Sequence, residues 1–159
     1  MKTIVIYDSF FGNTEKIAQV VGNVLGAPEE VLVMRAAEAK LEQLKEIDLL
    51  VVGSPTRKFT MSDATKAFLR SIPAGGLAGV RVAAFDTRIA TEDIKSGFFG
   101  WFVNKAGYAA QPIMKLLTDK GGKQAAPPAG FYVQGSEGPL KAGELERAAV
   151  WAKQAAEVG

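Results

Sequence analysis

The stretch Ile4-Val5-Ile6-Tyr7-Asp8-Ser9-Phe10-Phe11-Gly12-Asn13-Thr14-Glu15-Lys16-Ile17-Ala18 constrains this chain more than any other. It begins as an apolar run of strand length, rich in β-branched residues, and then breaks into a turn of small and polar residues. Beyond the turn, Ile17, Val20, Val21, Val24 and Leu25 recur at the spacing of one helix face. The pattern predicts strand, turn, helix. A helix start carries unpaired backbone N–H groups and the positive end of the macrodipole, about half an elementary charge. With Ser9, Asn13 and Thr14 gathered there, the turn has the makings of an anion site. Gly12 has no Cβ to keep an anion from the backbone. The same spacing also describes the first βα turn of any α/β domain, so it leaves both readings open.

The alternation continues along the chain. Gly26-Ala27-Pro28 stops the first helix. Val31-Leu32-Val33-Met34 reads as a second strand, and Ala36 to Ile47 as a helix with Leu41 and Leu44 on one face. Leu49 to Gly53 is apolar throughout, as a strand buried on both faces should be. Ser54 to Ser62 reads as a loop, and Asp63 to Ile72 as a short helix with Ala64, Ala67 and Phe68 inward. Val80 to Phe85 is a fourth strand, followed by a long loop from Asp86 to Gly100. A helical pattern starts around Phe102 and meets Pro112, whose missing N–H calls for a kink or a fresh start. It resumes from Ile113 to Lys120 and closes at Gly121-Gly122. A last strand lies within Lys123 to Gln134, and Pro127-Pro128 must split or bulge it. Gly143 to Val158 is the final helix, with Leu145, Ala149, Ala152 and Ala156 inward.

Five strands alternating with five helices call for a doubly wound parallel sheet covered on both faces. With right-handed crossovers the expected order is 2-1-3-4-5. Ligands then sit at the carboxyl ends of strands one and three, where the order reverses. No linker or repeat divides the chain, and its 159 residues suit a single domain spanning 1–159.

Composition narrows the chemistry. The absence of cysteine removes disulfides, thiolate nucleophiles and Cys metal sites. The absence of histidine removes Ser-His-Asp triads, His general bases and His metal ligands. An enzyme built this way must borrow its reactivity from a cofactor. A net charge of +2 is too small to imply nucleic acid. No apolar run is long enough to span a membrane. The first strand is too short for a signal segment and runs straight into Asp8, so a cytoplasmic protein is expected.

The turn Tyr-x-Ser-x-x-Gly-Asn-Thr-Glu resembles the FMN-phosphate loop of the flavodoxin family, with Ser9, Gly12, Asn13 and Thr14 at the matching places. Phe10 and Phe11 depart from that pattern; many flavodoxins carry Thr where Phe11 stands. Gly53-Ser54-Pro55-Thr56 resembles the second flavin loop of flavodoxins, and Ser54-Pro55-Thr56-Arg57 the matching loop of flavodoxin-like NAD(P)H:quinone oxidoreductases. In both families backbone groups here face the isoalloxazine ring. Lys58 belongs to this loop, and Phe59 has the chemistry to stack on the ring or to anchor the loop. A third loop, Phe85-Asp86-Thr87-Arg88-Ile89, puts Arg88 where the family places an aromatic over the flavin, with Asp86 and Thr87 beside it. An arginine there either stacks as a planar cation, reaches the pyrimidine end of the ring, or stays solvated.

The resemblance implies a flavodoxin-like fold and an FMN-binding electron-transfer protein. Its redox partner would be a protein or a quinone. The alternatives are an FMN-dependent NAD(P)H:quinone-type reductase and a flavin-free module that binds a partner, with Phe11 and Arg88 permitting the latter. No amino-acid acid or base is expected to act. A response-regulator receiver domain shares the topology, but strand three ends Val52-Gly53-Ser54 without its aspartate. Typical flavodoxins are acidic, whereas this chain has a pI near 8.8 and carries Arg57, Lys58 and Arg88 on the expected flavin loops. Those cations are expected to stabilise an anionic reduced flavin. The run Phe98-Phe99-Gly100-Trp101-Phe102-Val103 either covers a sheet edge or forms an apolar lip where a quinone, a partner or a second subunit docks.

Overall fold

The central strands are apolar on both faces, and the sheet they build is parallel and buried between helices. The structure, a computed structural model, describes residues 1–57, 59–90 and 108–157. Lys58, the aromatic run from Phe98 to Val103 and the helical start expected around Phe102 lie outside the described residues.

In chain order the elements are β1 (Thr3–Tyr7), α1 (Asn13–Leu25), β2 (Val31–Arg35), β3 (Leu49–Pro55), α2 (Asp63–Ser71) and β4 (Arg81–Ile89). They are followed by α3 (Ala110–Asp119), β5 (Lys123–Gln124), β6 (Ala129–Val133) and α4 (Glu144–Ala156). The strand order is β2-β1-β3-β4-β5, with β6 also paired to β4. This is the expected flavodoxin-like arrangement. The fifth strand is split where Pro127-Pro128 predicted, into β5 and β6, both parallel to β4.

Side chains alternate across each strand and feed two cores. On one face Val5, Val51, Ala83 and Phe85 pack with Ile17 and Val21 of α1 and Ala148 and Trp151 of α4. On the other Ile6, Leu50, Val52 and Ala84 pack with Phe68 and Leu69 of α2 and Ile113 and Leu117 of α3. Pro112 occupies the third position of α3, inside the first turn, where no backbone N–H is needed; the fresh start is what forms.

Four expectations are corrected. Ala36 to Ile47 is not an α-helix but two short 3₁₀ turns, Ala36–Glu38 and Leu41–Leu44. Extended Lys40 separates them, its N–H bound to Gln43 Oε1, and Leu41 is exposed. In α2 Phe68 and partly buried Ala64 face the core as expected, joined by Thr65 and Leu69, but Ala67 faces out. In α4 Ala152 is buried as expected and Ala156 packs against the same core, but the rest of the buried face is Ala148, Trp151 and Ala155, leaving Leu145 exposed. Glu144 sets that rotation by turning inward to accept the Tyr132 N–H at 2.7 Å. Finally, β4 runs on to Ile89, so Asp86, Thr87 and Arg88 belong to a strand and not to a loop. Parallel pairing of Asp86 to Ile89 with Gly130 to Val133 of β6 extends it. Among the described residues no helix is long and apolar enough to cross a membrane.

Candidate functional site

A cavity of about 340 Å³ opens at the carboxyl ends of β1, β3 and β4. That is within the roughly 300–1,000 Å³ usual for small-molecule sites. Ser9, Phe10, Phe11, Asn13 and Thr14 of the turn between β1 and α1 form one wall. Pro55 at the end of β3 is followed into the lining by Thr56 and Arg57, and Thr87, Arg88 and Ile89 come from the end of β4. Val133, Ser136 and Glu137 complete it.

The opening turn is ordered and open. Ser9 Oγ accepts the Gly12 N–H at 3.0 Å, and Gly12 precedes α1 with φ of 90°. The amides that follow start the helix and have no intrahelical acceptors. Thr14 and Thr87 hydroxyls meet at 2.7 Å, which ties the helix start to β4. Asn13 Nδ2 donates to the Glu137 carbonyl at 3.2 Å. Arg35 at the end of β2 braces the turn from behind, its Nη1 donating to Ser9 O at 3.0 Å. That guanidinium also lies 4.0 Å from Asp8 and 3.8 Å from Glu15, over the Tyr7 ring. Burial, and then the hydrogen bond it donates to Glu15, push the Tyr7 hydroxyl above its ordinary pKa, so it stays protonated. Phe10 and Phe11 are 54% and 50% exposed and flank the mouth without filling the turn.

The second wall is anchored by hydrogen bonds to its neighbours. Ser54 is fully buried and does not line the cavity; its hydroxyl accepts the Ser62 N–H at 2.9 Å and anchors the loop to α2. Thr56 donates its N–H to Thr87 O, and its hydroxyl accepts the Ala109 N–H. Arg57 pairs with Thr60 through the backbone and places its guanidinium 4.5 Å from the centre of the Phe10 ring. Phe59, with φ of 71°, lies off the cavity.

The third wall departs most from expectation. Asp86 is fully buried and accepts from Arg88 Nε and Nη2, both at 2.6 Å. It also accepts the Ala110 N–H at 2.8 Å, at the start of α3. Burial pushes the Asp86 carboxyl up from its ordinary pKa, while Arg88 and the amide oppose that rise. Arg88 is therefore not a free cation, because a buried carboxylate compensates it.

Of the residues singled out in the sequence, Ser9, Phe10, Phe11, Asn13, Thr14, Pro55, Thr56, Arg57, Thr87 and Arg88 converge on the cavity. Gly12, Ser54 and Asp86 shape it from outside its lining, and Phe59 does not line it. Ile89, in the third segment read from the sequence, lines it too, whereas Val133, Ser136 and Glu137 are not among the residues the sequence singled out. The available signal was the Gly135-Ser136-Glu137-Gly138 turn ending the last strand, next to strand four in the expected order. Among the described residues no cluster of acidic groups is suited to a metal ion.

Residues 4–125 match the family model described as flavodoxin domain. No curated protein sequence matches the chain. Among solved structures, a flavodoxin from the domain Archaea is 24% identical with a TM-score of 0.71, covering 98% of this chain and 96% of that one. Oxidised flavodoxin 1 from Bacillus cereus is 17% identical with a TM-score of 0.75, covering 98% and 97%. The rubredoxin oxygen:oxidoreductase of the anaerobe Desulfovibrio gigas is 21% identical with a TM-score of 0.71, covering 98% of this chain and 35% of that one. At such identities the structural likeness speaks for the fold alone. The family match spans well over half the sequence, and on it the chain belongs to the flavodoxin family.

Proposed function

We propose that this protein binds FMN and serves as a flavodoxin-type electron carrier. The observation that carries this reading is the open turn before α1. Its buried Ser9, Asn13 and Thr14, with Thr87 beneath, present hydroxyls, an amide and helix-start N–H groups to one cavity at the point where the strand order reverses. Such a set suits a phosphate without needing lysine or a metal. Pro55, Thr56 and Arg57 with Arg88 would hold the ring, and Lys58 belongs to the same loop in sequence. The bound flavin supplies one- and two-electron redox chemistry. The chain's own part is to bind, orient and shield it. Among the described residues the titratable side chains lining the cavity are Arg57, Arg88 and Glu137; Arg57 and Glu137 stand at the exposed mouth and Arg88 is paired. That set favours a carrier over an acid–base catalyst.

Titrating the apo-protein with FMN tests this. Quenched flavin fluorescence and a perturbed visible spectrum are expected; an unchanged spectrum with excess FMN would leave a flavin-free partner-binding module. A second reading, an FMN-dependent NAD(P)H:quinone reductase, is favoured by exposed Arg57 at the mouth, placed to meet a dinucleotide phosphate. Steady-state NAD(P)H oxidation with a quinone separates the two, since a carrier needs a separate reductase. We place the protein in the cytoplasm, with a redox protein or a quinone as its partner.

A further inference from the structure

Thr87 and Arg88 are neighbours on β4 and point to opposite faces of the sheet. Thr87 turns toward α1, where it meets Thr14. Arg88 turns the other way, with Asp86, toward the start of α3. The α1 turn and the Arg88 side chain therefore approach the cavity from its two ends.

The Arg88 guanidinium is held on nearly every side. Asp86 takes Nε and Nη2, and is itself fixed by the Ala110 N–H. The Tyr108 ring centre lies 3.9 Å from Cζ. Gly130 packs so close that a Cβ there would stand 2.2 Å from Cζ, so ring and backbone must cover opposite faces. The side chain is only 11% exposed. Nη1 is what remains: it has no hydrogen-bond partner among the described residues, on a side chain that lines the cavity. A donor aimed this rigidly loses little freedom when a ligand arrives. Its charge is compensated by Asp86, so it offers direction more than net positive potential.

We propose that Arg88, through Nη1, recognises the carbonyl-bearing edge of the cofactor's ring, a planar imide or dione, and that Asp86 and Gly130 are there to position it. The inference rests on the flavin reading above and adds a recognition element at the end of the cavity away from the phosphate turn. The ligand chemistry follows from the donor. Guanidinium nitrogens only donate, so the group they select must accept, and Nη1 lies in the plane fixed by Asp86.

The test uses two ligands: FMN, and riboflavin, which keeps the ring and lacks the phosphate. Apo-protein is titrated with each by flavin fluorescence. The wild type is compared with Arg88→Gln and with Gly130→Ala, which keeps the charge and puts a methyl where the guanidinium lies. The double variant Asp86→Leu/Arg88→Met removes the pair without stranding a buried charge, and so keeps the fold available if a single variant unfolds. Thermal unfolding identifies the folded variants. FMN and riboflavin should both bind roughly tenfold more weakly to the variants, by the same factor, as the loss of a charge-assisted hydrogen bond implies. A loss seen with FMN and not riboflavin would assign Arg88 to the phosphate and overturn the proposal. Unchanged affinity for both in the folded double variant would overturn it too, leaving the flavin reading intact. A wild type that binds neither ligand overturns the flavin reading and this inference together.

Discussion

Gly53 shows how one residue can set the shape of the core beneath the cavity. It sits in β3, where a Cβ would fall 2.0 Å from Phe85 Cζ. Phe85 is fully buried and meets Phe131 and Trp151 edge to face, with ring centres 6.0 and 5.8 Å away. Such rings have no empty neighbour to move into. Gly53→Ala should therefore cost about 1–3 kcal/mol. In a chain of this size that lowers the melting temperature by roughly 2–4 °C per kcal/mol, which a thermal melt will read. A melt equal to wild type would mean that the aromatic trio yields. At the same scale, Arg35, one residue past the second strand as read from the sequence, holds the opening turn through Ser9 O. Nothing in its neighbours along the chain announces that contact, 26 residues distant.

Among the elements, α4 and β6 form the unit whose stability is most clearly tied to pH. β6 has β4 on one side, and its other edge is covered by α4 and the segment that leads into it. Glu144 accepts the Tyr132 N–H, Arg147 donates to the Gly130 carbonyl, and the Lys141 N–H pairs with Tyr132 O. A covered edge is closed to strand addition by another chain. Burial alone would raise the Glu144 carboxyl; the hydrogen bonds from Arg147 and the Tyr132 amide more than offset it and hold it below the ordinary value. A carboxyl lowered in the fold adds stability above its unfolded pKa, and that share is lost as pH falls through the folded value. Glu144→Gln should thus be about 1–3 kcal/mol less stable than wild type near neutral pH. The gap should close as the pH is lowered through the folded carboxyl's depressed value, followed by urea unfolding at each pH. A gap that stays constant would exclude the carboxylate as its source.

The whole molecule is a scaffold whose two cores hold three segments, the turn before α1, the residues at the end of β3 and the end of β4, in fixed relation at one end of the sheet. A ligand that bridges those segments stabilises the folded state by mass action. FMN at about a hundred times its dissociation constant should add about 2.7 kcal/mol. That corresponds to a rise in melting temperature of roughly 5–10 °C for a chain of this size. Inorganic phosphate alone should raise it less, because it engages only the α1 end. Equal shifts from both would say that the ring end contributes nothing.

The sequence by itself determined the strands and helices that bury apolar faces, the split in the last strand and the turn between β1 and α1. Each of these depends on residues a few positions apart, through periodicity, proline and the helix start, and such information is local. Folding decided the rest. Thr14 meets Thr87 across 73 residues, and Asn13 meets the Glu137 carbonyl across 124. Arg88 looked like a free cation because nothing in the spacing of Asp86 and Arg88 says that they share a face; β4 had to continue past Phe85 for period-two alternation to bring them together. The phase of α4 was likewise set by Glu144 reaching β6 and by Trp151 joining Phe85, partners that exist only once the sheet has formed.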